Sequence, residues 1–185
     1  ITGEQEFMGH KFKVSPDVLI PRQDTETLVT EAAKIIQETP REKLSFLEKL
    51  KGAKEWEVLD LCCGSGAVGI LIMKICSNVR MTASDISEKA LKVAETNAKE
   101  LHTKVRFLQG DMFEPHEGKK FDMIVSNPPY IKTLMISILQ EEVKSHEPIQ
   151  ALDGGSDGLD FYRIIVSRAA DHLKKDGFLI MEIGH

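Results

Sequence analysis

Absences narrow this sequence before any motif does. Cys62, Cys63 and Cys76 are the whole cysteine content, and no two of them form a Cys-x-x-Cys pair. Vicinal cysteines bridge poorly, which argues against a disulfide scaffold and a thiolate zinc site and makes a reducing cytoplasm the expected setting. The six histidines fall at no ligand spacing, so no metal is expected. No apolar run approaches the roughly 20 residues a spanning helix needs, so no membrane partner is expected. Ile1 opens a polar and aromatic stretch unlike a secretory leader. Lysines and arginines number 24 against 29 acids, and they are scattered instead of forming a stripe. A net charge of −5 argues against a partner held mainly by its phosphates, and direct nucleic-acid binding is not expected.

What is present has the size of one α/β domain, 185 residues with 42% hydrophobic and 29% charged side chains. Short apolar runs alternate with helical patterns. Val58 to Leu61 reads as a strand, followed by a glycine-rich turn and a helix through Val68, Leu71, Ile72 and Ile75. Met81 to Asp85 is a second strand, after which Ser87 caps a helix carrying Ala90, Leu91, Ala94 and Ala98. Val105 to Leu108 and Met123 to Val125 are the third and fourth strands. A helix over Leu159 to Leu173, stopped near Asp176-Gly177, leads to a fifth strand, Phe178 to Ile183. Such alternation predicts a Rossmann-like, doubly wound and mainly parallel α/β sheet with its ligand beyond the carboxyl ends of the strands. Upstream, Asp24 is expected to cap a helix through Leu28, Ala32 and Ile36, with Pro40 breaking it and Arg41 to Leu50 forming a second amphipathic piece. Residues 1–53 are therefore expected to be a hairpin and helical lead-in, and 54–185 the core. The sheet is expected to be truncated at both ends of the chain.

Two stretches carry chemistry. Asp60-Leu-Cys-Cys-Gly-Ser-Gly-Ala-Val-Gly69 places Gly64, Gly66 and Gly69 in the G-x-G-x-x-G spacing between a strand and a helix. Taken alone this suits a dinucleotide, with Asp85 on the ribose hydroxyls. S-adenosylmethionine fits the same loop, and two features favour it. Asp60 precedes the loop, where it would attract an ammonium or sulfonium and repel a pyrophosphate. Asp111 and Met112 end the third strand, where they can serve an adenine amino group and its ring. Cys62 and Cys63 then act as small loop residues.

The second stretch, Asn127-Pro128-Pro129-Tyr130, follows the fourth strand and so lies on the same edge. Its carboxamide oxygen and the Pro128 carbonyl can accept the two hydrogens of a substrate NH2 group while Tyr130 packs on the planar group. An amide nitrogen is a poor nucleophile because its lone pair is delocalised. Holding both hydrogens localises that pair, and in-line placement does much of the rest.

Together these stretches resemble the amino-methylating S-adenosylmethionine-dependent methyltransferases, which act on DNA, ribosomal RNA or protein glutamine. Val18 to Val29, Glu6 to Val14, Glu147-Pro148, Ala151 to Ala169 and Glu182 to Gly184 are in turn similar to the glutamine methyltransferases of peptide chain release factors, the HemK or PrmC family. The resemblance implies methylation of N5 of the glutamine in the Gly-Gly-Gln motif of class I release factors by a cytoplasmic monomer. It implies Asp60, Cys62, Cys63, Gly64, Ser65, Gly66, Asp85, Asp111, Met112 and Asn127 on the donor. Asn127, Pro128 and Tyr130 would be catalytic, and Leu19, Pro21 and Pro129 would join them against the substrate. Family members also carry a helical N-terminal domain and two further strands. The alternative is a nucleic-acid amino-methyltransferase acting on adenine N6 or guanine N2. Two points stay open from the residues alone: whether Arg22 and Glu26, one turn apart, are only a structural ion pair or serve in positioning, and whether Asp153 to Gly158 is a flexible turn or an ordered element.

Overall fold

The computed structural model describes residues 3–39, 55–138 and 147–184; the expected helix over Arg41 to Leu50 lies outside them. Strands β1 (Glu4–Phe7) and β2 (His10–Lys13) form an antiparallel hairpin around Met8 and Gly9. Both turn residues have positive φ, 47° and 73°, so their twist matches that of the strands. Phe7 and Phe12 meet edge to face at 6.1 Å and seal the hairpin onto the core. Helix α1 (Thr25–Glu38) follows and buries Leu28, Val29, Ala32, Ala33 and Ile36. Asp24 stands at its N-cap but has helical backbone angles and makes no side-chain capping bond, unlike the expectation.

The main sheet is built as the alternation predicts. Strands β3 (Trp56–Leu61), β4 (Val79–Asp85), β5 (Arg106–Gln109), β6 (Phe121–Ser126) and β7 (Leu173–Met181) are all parallel, in the order β5-β4-β3-β6-β7. Helices α2 (Ala67–Ile75), α3 (Glu88–Glu100) and α5 (Asp160–His172) make the long crossovers, with a short α4 (Thr133–Ile136) after β6. The chain runs outward from β3 to β5 and then returns to the other side of β3, so the strand order reverses between β3 and β6. That reversal opens a crevice at the carboxyl edge. Core residues such as Val58, Leu59, Met123 and Ile124 are fully buried because helices cover both faces. Among the described residues no helix is long and apolar enough to cross a membrane.

Three boundaries differ from the sequence reading. The third strand stops at Gln109, so Asp111 and Met112 sit in the turn beyond it. The last helix ends at His172, and β7 starts directly after it. Asp176 (φ 61°) and Gly177 therefore do not stop the helix; they lie in an irregularity of β7, whose pairing with β6 shifts register between Phe121 and Met123. Lys174 anchors this irregularity through Asp122 at 2.8 Å. Ile183 falls outside the strand.

Ser87 caps α3 as expected, its Oγ accepting from Ala90 N–H at 3.2 Å. Ser87→Ala should lower unfolding free energy in urea by about 1 kcal/mol without changing the slope of the transition.

Candidate active site

The turns after β3, β4, β5 and β6 converge over the reversal point on a cavity of about 400 Å³, a size suited to a small-molecule ligand. Asp17, Asp60, Asp85 and Asp111 line it, and among the described residues no lysine, arginine or histidine does. A pyrophosphate would meet acidic side chains there and no cationic group on the described wall. A ligand with a positive centre is drawn in instead.

Two of these carboxylates, Asp60 and Asp85, are held by backbone N–H donors. Asp60, on β3 and 1% exposed, accepts from Gly69 N–H at 2.9 Å. A Cβ at residue 69 would stand 2.9 Å from that same oxygen and 3.2 Å from Met81, so α2 can approach β3 only through glycine. Burial, opposed by the Gly69 N–H and reinforced by Asp85, pushes the Asp60 carboxyl up to about 7. Asp85 ends β4. Its two oxygens accept from Gly64 N–H and Ser87 N–H, both at 2.9 Å, and burial raises its pKa while those donors pull it back. Each oxygen keeps a further lone pair for a ligand hydroxyl.

Cys62 adopts the left-handed region at φ 60°, and its Sγ lies 3.8 Å from Met112 Sδ. Burial pushes the Cys62 thiol up to about 12 and that of Cys63 well above its usual value. Thiols of this kind are unreactive near neutrality, which leaves both cysteines as small apolar wall. Gly64, Ser65, Asp111 and Met112 also line the cavity, whereas Gly66 serves as the left-handed N-cap of α2 and does not.

Asn127 follows β6 and reaches the same cavity. Its Nδ2 donates to Thr25 Oγ1 at 3.2 Å, which turns Oδ1 the other way; that oxygen is buried and has no protein partner. A buried acceptor left empty is costly and marks where a ligand donor belongs. Pro129 lines the cavity with it, while the buried Pro128 and half-buried Tyr130 do not. The Tyr130 hydroxyl donates to Glu182 Oε1 at 3.1 Å, and its ring lies over Gly184, where a Cβ would come within 2.8 Å of it. Burial and the neighbouring Glu182 push this phenol up to about 12. The ring thus braces the turn through Glu182 and Gly184 and does not line the cavity.

Beyond the tetrapeptide the chain is stapled to the Asp153–Gly158 segment. Gly154 N–H donates to Ile131 O at 2.8 Å, Ile131 N–H to Leu152 O at 2.9 Å and Thr133 N–H to Gly155 O at 2.9 Å. A Cβ at residue 154 would stand 2.7 Å from Tyr130 Cα. Of the two readings of this segment, the ordered one holds.

Leu19 and Pro21 from the N-terminal segment line the cavity, as do Pro148, Gln150 and Ala151. Arg22 closes this wall by pairing with Glu147 at 2.6 Å, not with Glu26. The Glu147 side chain is only 1% exposed, and its burial raises the carboxyl pKa more than Arg22 lowers it. Breaking such a pair strands a buried charge. Thr25 and Glu147 were not assigned these roles in the sequence, and neither were Ser84, which lines the cavity, and His116, whose Nε2 meets the Ser84 Oγ at 2.9 Å. Each partnership crosses tens of residues and leaves no local spacing to read.

Asp60 gives this site a pH signature. Its carboxyl rises from 3.8 to about 7 on folding, so between those values the folded chain keeps a proton that the unfolded chain has released. Its contribution to stability therefore falls as pH rises through that window. Asp60→Asn removes this slope, and the variant's Tm relative to the native chain should climb steadily between pH 4 and pH 7 by calorimetry. A constant offset would mean that Asp60 titrates normally.

Fold and site together define a class first: a Rossmann-like α/β domain of the S-adenosylmethionine-dependent methyltransferase type. A methyltransferase from Pyrococcus furiosus superposes with a TM-score of 0.55 over 90% of this chain and 66% of its own, at 20% identity. Coclaurine N-methyltransferase, bound to N-methylheliamine and SAH, gives 0.51 over 84% of this chain and 35% of its own, at 16% identity. Residues 43–154 match the Methyltransferase small domain family, and the chain belongs to that family. Three proteins named release factor glutamine methyltransferase align with all of it. That of Geobacter sulfurreducens is 41% identical over 184 residues and 59% of its own length, and that of Moorella thermoacetica 43% over 186 residues and 60%. That of Bacillus subtilis is 41% identical over 186 residues and 61% of its length. The chain spans about three fifths of the length of these curated relatives.

Proposed function

We propose that the protein transfers a methyl group from S-adenosylmethionine to the side-chain amide nitrogen, N5, of the glutamine in the Gly-Gly-Gln motif of class I release factors. The observation that carries this reading is the orphaned Oδ1 of Asn127 on the wall of an acid-lined cavity. The names of the 41–43% identical relatives support the choice of substrate.

The residues present suit such a donor, which when bound supplies an electrophilic methyl on a sulfonium. Asp60 would attract its positive groups, and the Cys62, Cys63, Gly64, Ser65 and Gly66 loop would lie under its methionine part. Asp85 would take the ribose hydroxyls, and Asp111 with Met112 the adenine. Asn127 Oδ1 then accepts one hydrogen of the glutamine NH2, and the Pro128 carbonyl accepts the other. With both hydrogens held, the nitrogen lone pair would face the methyl; the N–C bond would form as the S–C bond breaks, one N–H proton would pass to water, and a strong base is not required. Leu19, Pro21 and Pro129 flank the glutamine methylenes. Tyr130 contributes by bracing the turn through Glu182. Residues 1–53 serve as the lead-in and 54–185 as the donor-binding core of a cytoplasmic monomer that acts without nucleic acid or membrane. The free thiols of Cys62, Cys63 and Cys76 suit a reducing compartment.

Incubating the full-length protein with a release factor and methyl-labelled donor should place the label on the Gly-Gly-Gln glutamine. Label on DNA or ribosomal RNA, with none on the factor, would overturn the reading. Thr25→Val keeps the side-chain shape but removes the acceptor that orients Asn127. It should lower kcat by about tenfold to a hundredfold while donor affinity and Tm change little.

A further inference from the structure

Asn97, on α3, is 1% exposed and lies outside the cavity lining. Its carboxamide is nonetheless spent across two distant segments. Oδ1 accepts from Lys13 N–H at 2.7 Å, and Nδ2 donates to Lys13 O at 3.0 Å and to Ser65 O at 2.9 Å. One side chain therefore pairs with Lys13 as a neighbouring strand would, and the same NH2 group holds the carbonyl between Gly64 and Gly66. These three bonds also fix which way the amide points, since both carbonyls need a donor and the N–H needs an acceptor.

Lys13 ends β2, and the chain after it runs along the cavity. Val14 and Val18 pack on Ala90, and Asp17, Val18, Leu19 and Pro21 line the wall. Other ties of this strap are weaker or act elsewhere. The Lys89–Asp17 ion pair, at 3.4 Å between largely exposed side chains, is screened by water, and Arg22–Glu147 fastens the far end to a different segment. Among the described residues, Asn97 is the side chain that hydrogen-bonds both Lys13, at the head of the strap, and Ser65 of the glycine loop. From this geometry we infer that Asn97 is a positioning residue coupling donor binding to placement of the 14–21 strap, and hence to the Leu19 and Pro21 wall that receives the substrate. This rests on the donor reading above. Coupling of this kind is reciprocal, so an ordered strap also tightens the donor site.

The test uses the full-length protein with S-adenosylhomocysteine as the probe, following affinity by calorimetry and backbone hydrogen exchange across residues 14–21. In the native chain the probe should slow exchange in the strap by about tenfold or more. Asn97→Ala should weaken probe binding by about tenfold or more, as expected for stranding buried carbonyls, and reduce strap protection at saturation to less than about twofold. Asn97→Asp keeps the acceptor for Lys13 N–H but loses the donor to Ser65, should behave alike, and decides the matter if the alanine variant does not fold. Ile36→Ala, buried on α1 away from the cavity, is the control for lost stability and should keep both responses. Asn97 variants that match Ile36→Ala would make Asn97 merely structural and overturn the inference. A native chain that binds the probe without slowing exchange in the strap overturns the coupling alone. One that does not bind the probe at all overturns the donor reading itself.

Discussion

The parallel register of β3 against β6 is the constraint on which the site depends. Leu61 stands opposite Ser126, and the Ser126 hydroxyl donates to Leu61 O at 2.7 Å, locking the two strand ends together. One residue further along each strand come Cys62, which opens the glycine loop, and Asn127. A slip of one residue would turn every side chain of a strand to the opposite face, so the buried run from Val58 to Leu61 opposite Met123 to Ser126 specifies the register strongly. The loop and the carboxamide are neighbours because the core allows no other pairing.

Around that junction the protein accumulates groups that are costly to bury. Asp60 and Asp85 are kept in the wall by backbone N–H donors, and both have raised pKa values because burial exceeds what those donors return. His116, pushed down to about 4 mainly by burial, stays neutral near pH 7 and can bond Ser84 without adding a cation beside the cavity. With Asn127 Oδ1 unpartnered, the cavity is an acceptor-rich, cation-seeking space. The rest of the fold offsets that cost through its large buried clusters on both faces of the sheet.

Local features were legible in the residues. The Ser87 cap, a hairpin in the lead-in, the glycine loop and the five strands each depend on contacts a few residues apart, or on alternation that water enforces. Reach was harder to read. Arg22 and Glu26 stand one helical turn apart in the sequence, yet the Arg22 guanidinium pairs with the buried carboxylate of Glu147, 125 residues away. Asp176-Gly177 carries a helix-stop signal, but pairing with β6 absorbed it into β7. Tyr130 was aimed at the substrate because it follows Asn-Pro-Pro. Its hydroxyl bonds Glu182 and its ring lies over Gly184, both beyond the end of the neighbouring strand, contacts that no local pattern displays.

By itself, the sequence determined an α/β alternation, an acid at each of several turns on one edge, and an amide presented after the fourth strand. These follow from periodicity and from the conformational limits of glycine and proline, which act within a single segment. Only the tertiary structure decided which way the Asn127 carboxamide points, which carboxylates lose their hydration, and that Asn97 ties the hairpin to the glycine loop. Each of those depends on burial and on hydrogen-bond partners brought together from distant parts of the chain, and a linear pattern contains neither.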